Sequence, residues 1–278
     1  MGKINSSFSR DTSGRRSRFA RTPMGKRIVL GERDCQILCW LYRYRYLRQS
    51  HLQAILRPRS LKRFVERLGD LYHETGFISR PSVDHPAFGI RSTPMLYEIT
   101  PAGIDWLVGN NALPHRAVTF SFQSRRAYSP QLPHTMMIIE ALLEIEQASL
   151  ARAGERFVPV DEILARAPEA TRKAPNPLAV PAAVISSAAK RIAKNTWLIP
   201  DALYGIEYDI DGEKRYRFWA MECERASPAW RSSPALSSTA KKQAAYDALI
   251  ASCAYRTVWG IPNLKLNIIS GPSKMAVL

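Results

Sequence analysis

The chain has 278 residues, 46% of them hydrophobic, which is enough for a substantial core and more than one domain. It carries 40 Lys+Arg against 24 Asp+Glu, a net charge of +16. That charge is uneven: residues 1–80 hold 18 Lys+Arg against 6 Asp+Glu, and residues 81–278 hold 22 against 18. A field of this kind attracts phosphate backbones by counterion release, although an RNA or an anionic membrane would feel it too.

No apolar run approaches the roughly 18 residues a membrane span requires, so the sequence predicts no membrane partner. The first residues, "MGKINSSFSRDTSGRRSRFARTPMGKR", have no apolar core for a secretory signal and read as a disordered basic arm over 1–30. Such an arm is either a solvated tail or a segment lying along phosphates. The cysteines Cys35, Cys39, Cys223 and Cys253 form no CxxC pair and the histidines are scattered, so there is no zinc pattern. Cys35 and Cys39 sit four apart on an apolar helix face and read as small buried side chains. This usage fits a reducing cytoplasm.

Helical spacing in "RDCQILCWLYRYRYLRQSHLQAIL" predicts two helices, the first ending near Tyr46-Leu47 and the second capped by Ser50. "YRYRY" alone would also fit a strand. Pro58 stops the second helix, and Ser60 caps a third. On the third helix Leu61, Phe64, Val65, Leu68, Leu71 and Tyr72 form the expected buried stripe. Arg59, Lys62, Arg63, Glu66 and Arg67 are left facing outward. Gly76 suits the helix C-cap before a strand "FIS". Residues 82–95 have loop chemistry, and "LYEIT" returns as a strand. Thr100-Pro101 then starts a closing helix, Thr as N-cap and Pro in its first turn.

Three helices followed by a strand–loop–strand element spell a winged helix over residues 31–110. Its third helix suits a DNA major groove, and the loop is the wing. The residues predicted to contact DNA are Arg48, Arg59, Ser60, Lys62, Arg63 and Arg67, with Arg80 and Arg91 beside or on the wing.

Residues 111–132 read as a linker with one short strand, and residues 133–278 as a second, α/β domain. It begins with a long helix whose inward positions are Met137, Ile138, Ala141, Leu142 and Ile145, with Glu140, Glu144 and Glu146 on the polar side. "ERFVPVDEILARAP" reads as a short strand and a helical turn. Residues 168–187, rich in Ala and Pro, read as a loop. "AAKRIAKN" is either a basic helix or a loop. "TWLIPDALYGIEYDIDGEKRYRFWAMECERAS" reads as a β-meander turning at "IDGEK". A helix follows, with Ala245, Leu249 and Ile250 inward and Lys241 and Lys242 near its start. "TVWGIPNLKLNIIS" supplies a further strand.

Asp201 stands at the entrance of the first meander strand. Glu222 and Glu224, two apart, share one side of the next. An aspartate and a glutamate on adjacent strands are what a divalent-metal phosphodiesterase site needs. The carboxylates would hold Mg²⁺, with Glu140 or Glu144 as a further ligand and a nearby lysine polarising the attacking water. The same acids could instead pair with Arg215, Arg217 or Arg225.

In this order, "SLKRFVERLGDLYHETGFI", "LYEITPAGIDWL", Pro133-His134, "PDAL" at 200–203 and "MECE" at 221–224 resemble the replication-relaxation family of plasmid and mobile-element proteins. The resemblance covers most of Arg33 to Ser270. It implies an α+β architecture, an N-terminal winged helix followed by a restriction-endonuclease-like domain of the PD-(D/E)xK type. It maps the pattern's aspartate to Asp201 and its glutamate to Glu222. Where the pattern has lysine, this chain has Glu224, and Lys241 or Lys242 is the candidate replacement.

The implied setting is a bacterial cytoplasm, with double-stranded DNA as partner and action in replication, transfer or transcriptional control. Replication or transfer proteins and a second copy of the chain are further candidate partners. Two readings stay open: a DNA-binding protein with a degenerate nuclease-like domain needing no cofactor, and an Mg²⁺-dependent endonuclease or nickase. A lysine ammonium close to Asp201 and Glu222 would favour the second.

Overall fold

A computed structural model describes residues 16–81, 94–113, 132–181, 197–224 and 239–270. The chain divides into two compact units, with the boundary between Ile139 and Glu140. That boundary falls inside a long helix rather than in the linker read over 111–132. Residues 1–15, most of the expected wing, most of that linker, Arg91 and "AAKRIAKN" lie outside the described residues.

Unit 1 begins with α1 (Glu32–Tyr44), whose Ile37, Leu38 and Leu41 are fully buried. The chain reverses at Arg45, in the left-handed region at φ 63°, and enters a short strand β1 (Tyr46–Arg48). The sequence reading continued the helix to Tyr46-Leu47. The "YRYRY" alternation wins here because Tyr46 pairs with Glu98 and Arg48 with Leu96 on a strand about fifty residues away. Helix α2 (Gln49–Leu56) therefore starts directly from β1 with Arg48 as its N-cap, two residues ahead of what a Ser50 cap would give.

Ser60 does cap α3 (Leu61–Asp70), accepting from the Arg63 N–H at 3.4 Å. The helix continues as one π turn, Leu71–Thr75, closed by Gly76 at φ 70°. Strand β2 (Ile78–Ser79) and strand β3 (Leu96–Ile99) complete an antiparallel sheet in the order β1-β3-β2. Thr100 then caps α4 (Pro101–Gly109), accepting from the Gly103 N–H at 3.2 Å, with proline in the first turn as read from the sequence. Phe64 and Leu68 of α3, Leu52 of α2, Ile78 of β2 and Leu107 of α4 share the core with α1. Leu61 and Val65 do not join it; they are 58% and 37% exposed.

Residues 16–30 are not a free arm. Arg16 binds Asp70 and Glu74, Lys26 binds Asp70, and Arg21 donates to the carbonyls of Tyr72 and Ile78. Tyr72 Oη donates to the Phe19 carbonyl at 2.7 Å. The segment is a strap clasped over the end of α3, and it uses several of the basic residues that gave this half its charge.

In the second half, α5 (Leu132–Leu150) buries Leu132, Met136, Ile139, Ala141 and Leu143 together with Glu140 and Glu146. The apolar face is thus rotated from the expected one, and only Ala141 is shared. Unit 2 continues with β4 (Glu155–Val158), α6 (Val160–Ala165), α7 (Glu169–Lys173), β5 (Val180–Pro181) and β6 (Trp197–Leu198). The loop read over 168–187 therefore contains a short helix and a strand that pairs with β6.

Strands β7 (Ala202–Ile210) and β8 (Glu213–Glu224) form a hairpin around Asp211 and Gly212, both at positive φ. After α8 (Thr239–Ala251) and α9 (Tyr255–Trp259), β9 (Lys265–Ser270) returns. The sheet order is β4-β7-β8-β9: the first three strands are antiparallel neighbours, and β9 lies parallel to β8. Helix α8 lies on the crossover between these parallel strands, and Ala245, Tyr246 and Leu249 are buried on it. Ile250, expected inward, is only half-buried.

Candidate functional site

Two arrangements carry chemistry, one in each unit. In unit 2, strand alternation puts Glu222 on the sheet face covered by α8. Its Oε2 receives the Lys242 ammonium at 2.5 Å, and its Oε1 accepts from Tyr246 Oη at 2.6 Å. Lys242 and Tyr246 are four apart on α8, one turn along the same face, so a single helix supplies both partners.

Asp201, immediately before β7, joins from the neighbouring strand: its Oδ2 accepts from the Cys223 N–H at 2.8 Å. The hairpin register places Ala202 opposite Met221, which fixes Asp201 beside Glu222 and Cys223. Burial pushes the Glu222 carboxyl above its ordinary range, against the opposing bonds from Lys242 and Tyr246 and with help from the Asp201 charge. Burial and then the two carboxylates raise the Cys223 thiol to about 12, which makes it inert as a nucleophile at neutral pH.

The expected set is partly assembled. Asp201, Glu222 and Lys242 come together. Glu224 lies half-exposed at the end of β8, and the Lys241 side chain is outside the described residues. Glu144 lines a groove with Tyr204 and Trp219. Trp219 and Glu222 alternate to opposite faces of β8, so Glu144 is on the wrong side of the sheet to complete the set. Glu140 is buried on the same helix.

Among the described residues no group of three or more His, Cys, Asp or Glu could hold a metal ion. The two carboxylates alone nevertheless have the hard oxygen donors that Mg²⁺ takes when it keeps several waters. Tyr246 was missed as a site residue because a tyrosine on an apolar helix face reads as core. Its spacing from Lys242 was the available signal.

In unit 1 the outer surface of α3 and the turn before it carry Arg57, Arg59, Lys62 and Arg63, all exposed. Ser60 is committed to the cap, and Arg48 is half-buried at the start of α2. Arg67 is drawn off this face: it forms a two-pronged ion pair with Asp34, and its Nη2 also donates to the Val29 carbonyl at 2.6 Å. Arg80 packs its guanidinium over the Tyr72 ring at 4.2 Å and donates to the Arg18 carbonyl at 3.0 Å. Both arginines were expected to face DNA, and both are held by the strap and its surroundings. Arg57 was passed over because it reads as a loop cation beside Pro58.

Among the described residues no helix is long and apolar enough to cross a membrane. No curated protein and no solved structure matches the chain. A family model described as replication-relaxation matches residues 38–263, from α1 to the turn before β9. The match takes in both the α3 face and the Asp201–Glu222–Lys242–Tyr246 cluster, and the chain belongs to the replication-relaxation family.

Proposed function

We propose that this is a double-stranded-DNA-binding protein acting in the replication, relaxation, transfer or transcriptional control of a plasmid, phage or other mobile element. Unit 1 is read as a winged helix that docks α3 in the major groove. The observation that carries this is the exposed cationic surface of Arg57, Arg59, Lys62 and Arg63 at the start of α3. It is mounted on the helix–strand–helix–helix–strand–strand order and the β1-β3-β2 sheet that such a module uses. Family membership supports the replication or relaxation setting.

The test is binding of the full chain to duplex DNA across a salt series. Lys62→Ala and Arg63→Ala should each weaken binding and lower the salt slope by about one. Unchanged affinity in both would remove α3 as the docking surface.

A second reading, a metal-dependent endonuclease or nickase, is favoured by the Lys242 ammonium on Glu222 beside Asp201. The sheet order β4-β7-β8-β9, with β9 parallel to β8 and α8 on the crossover, is compatible with a restriction-endonuclease-like reading of unit 2. Asp201 and Glu222 would hold Mg²⁺, which supplies activation of a water and polarisation of a scissile phosphate when bound. Lys242 would place a cation beside that phosphate, in the role that Glu224 leaves open. Incubation with supercoiled plasmid and Mg²⁺ or Mn²⁺ tests it: nicking lost in Asp201→Ala, Glu222→Ala and Lys242→Ala supports cleavage. Absence of nicking by the unmodified chain leaves unit 2 as a non-catalytic platform.

A further inference from the structure

The start of α3 exposes two large apolar side chains that the fold does not use. Leu61 is 58% exposed and Val65 37%. They are four apart, so they form one patch a single turn long on the outer side of the helix. Lone exposed apolar residues are ordinary on any surface, but this pair sits among the exposed cations Arg57, Arg59, Lys62 and Arg63, with Glu66 the one exposed acid on the helix. An apolar protein surface meeting this patch would have to accommodate those cations as well. The DNA major groove offers the matching combination, flanking phosphates and one apolar group on its floor, the thymine C5-methyl. Arg67, the arginine next along the helix, is bound to Asp34 and is not available to read guanine.

We propose that Leu61 and Val65 read thymine methyl groups, so that the DNA site selected by this protein contains thymine beneath the first turns of α3. The inference rests on the DNA-binding reading and adds a specificity to it.

The experiment begins with selection of bound duplexes from a random pool by the full-length protein. Each thymine of the enriched site is then replaced in turn by deoxyuridine, which lacks only the methyl group. At one or two positions the replacement should cost about fourfold in affinity, the value of burying one carbon group. The double variant Leu61→Ala, Val65→Ala should bind thymine and deoxyuridine equally while keeping the salt dependence of the unmodified chain. Thermal melting would show that it is folded.

Indifference of the unmodified protein to every replacement overturns the proposal and leaves DNA binding intact. So does a double variant that keeps the original thymine preference. A double variant that changes the sedimentation of the free protein with no change in thymine preference would assign the patch to contacts between copies, and also overturns it. If the protein binds duplex DNA in the salt series but enriches no sequence, this proposal falls and DNA binding stands; if it binds no duplex at all, the DNA-binding reading falls and this inference with it.

Discussion

Arg67 closes on Asp34 through two nitrogens, Nε to Oδ1 at 2.8 Å and Nη2 to Oδ2 at 2.5 Å, and so ties the far turn of α3 to the first turn of α1. Asp34 is 4% exposed and also accepts from the Gly31 N–H, so it caps α1 and anchors α3 together. Arg67→Ala would leave this carboxylate buried without its cation, at a cost of about 2 kcal/mol. Urea denaturation should show that loss. The salt slope of DNA binding should stay unchanged, in contrast to Lys62→Ala and Arg63→Ala. A lowered slope in Arg67→Ala would mean that the guanidinium leaves Asp34 to bind phosphate.

The strap makes stability depend on acid through His73. This side chain is 3% exposed, and its Nδ1 accepts from the Thr22 N–H at 3.1 Å. Burial, then Arg80 and Arg16, push its pKa from 6.5 down to about 4. A lowered pKa means that the unfolded chain takes up the proton first, so stability is complete above pH 6.5 and falls as pH drops towards 4. The slope reaches about 1.4 kcal/mol per pH unit. Asp70 acts lower: burial opposes its ionisation, but Lys26 and Arg16 hold it below its ordinary range, so its share is lost only beneath about pH 4. His73→Gln keeps an acceptor for Thr22 and cannot titrate. It should flatten the stability curve between pH 6.5 and 4.5, and equal slopes in the two proteins would exclude His73 as the source.

Local chemistry was legible in the sequence and pairing over distance was not. Ser60 before α3 and Thr100-Pro101 before α4 are visible because a cap is decided within four residues. For Tyr46–Arg48 the sequence leaves helix and strand both open, and the choice falls to strand only through the partners on β3. The strap was misread as a free arm for the same reason: Arg16 and Lys26 meet Asp70 and Glu74, and no period in the sequence announces such pairs. The phase of α5 was missed because its mixed polar and apolar content gives two faces of similar hydrophobicity. In the candidate site, Asp201 and Glu222 could be read from strand alternation, and Lys242 from its place at the start of the next helix. Tyr246 needed the fold.

Gly103, in the first turn of α4, sits against the backbone of the residue before β2. A methyl group there would lie 2.4 Å from the Phe77 carbonyl oxygen and 3.1 Å from Ile99. A carbonyl cannot swing aside as a side-chain end can, and Phe77 O is already bonded to the Thr100 N–H at 3.0 Å. Gly103→Ala should therefore push α4 away from the sheet and cost about 2 kcal/mol, although alanine is the better helix former. Gly109→Ala, near the end of the same helix and with nothing within 4 Å, is the control and should be neutral to slightly stabilising. Thermal melting of the two variants separates crowding from helix propensity.

Tyr246 is fully buried, and its hydroxyl donates to Glu222 Oε1 while Lys242 holds Oε2. Burial and then the Glu222 charge push its own ionisation well above the ordinary tyrosine range, so it remains a donor at any working pH. Tyr246→Phe removes one of these bonds to a carboxylate that is 5% exposed, at a cost of about 1–2 kcal/mol. The cost should depend on pH. Burial already raises the Glu222 pKa, and an acid with a raised folded pKa loses stability as pH rises from its ordinary value through the folded one. Removing the donor raises that pKa further, so the variant's deficit should be small at pH 4.5 and larger at pH 8. Urea midpoints at the two pH values measure it, with duplex binding as the check that unit 1 is intact. A deficit equal at both would mean that the hydroxyl does not favour the ionised form of Glu222 over the neutral one.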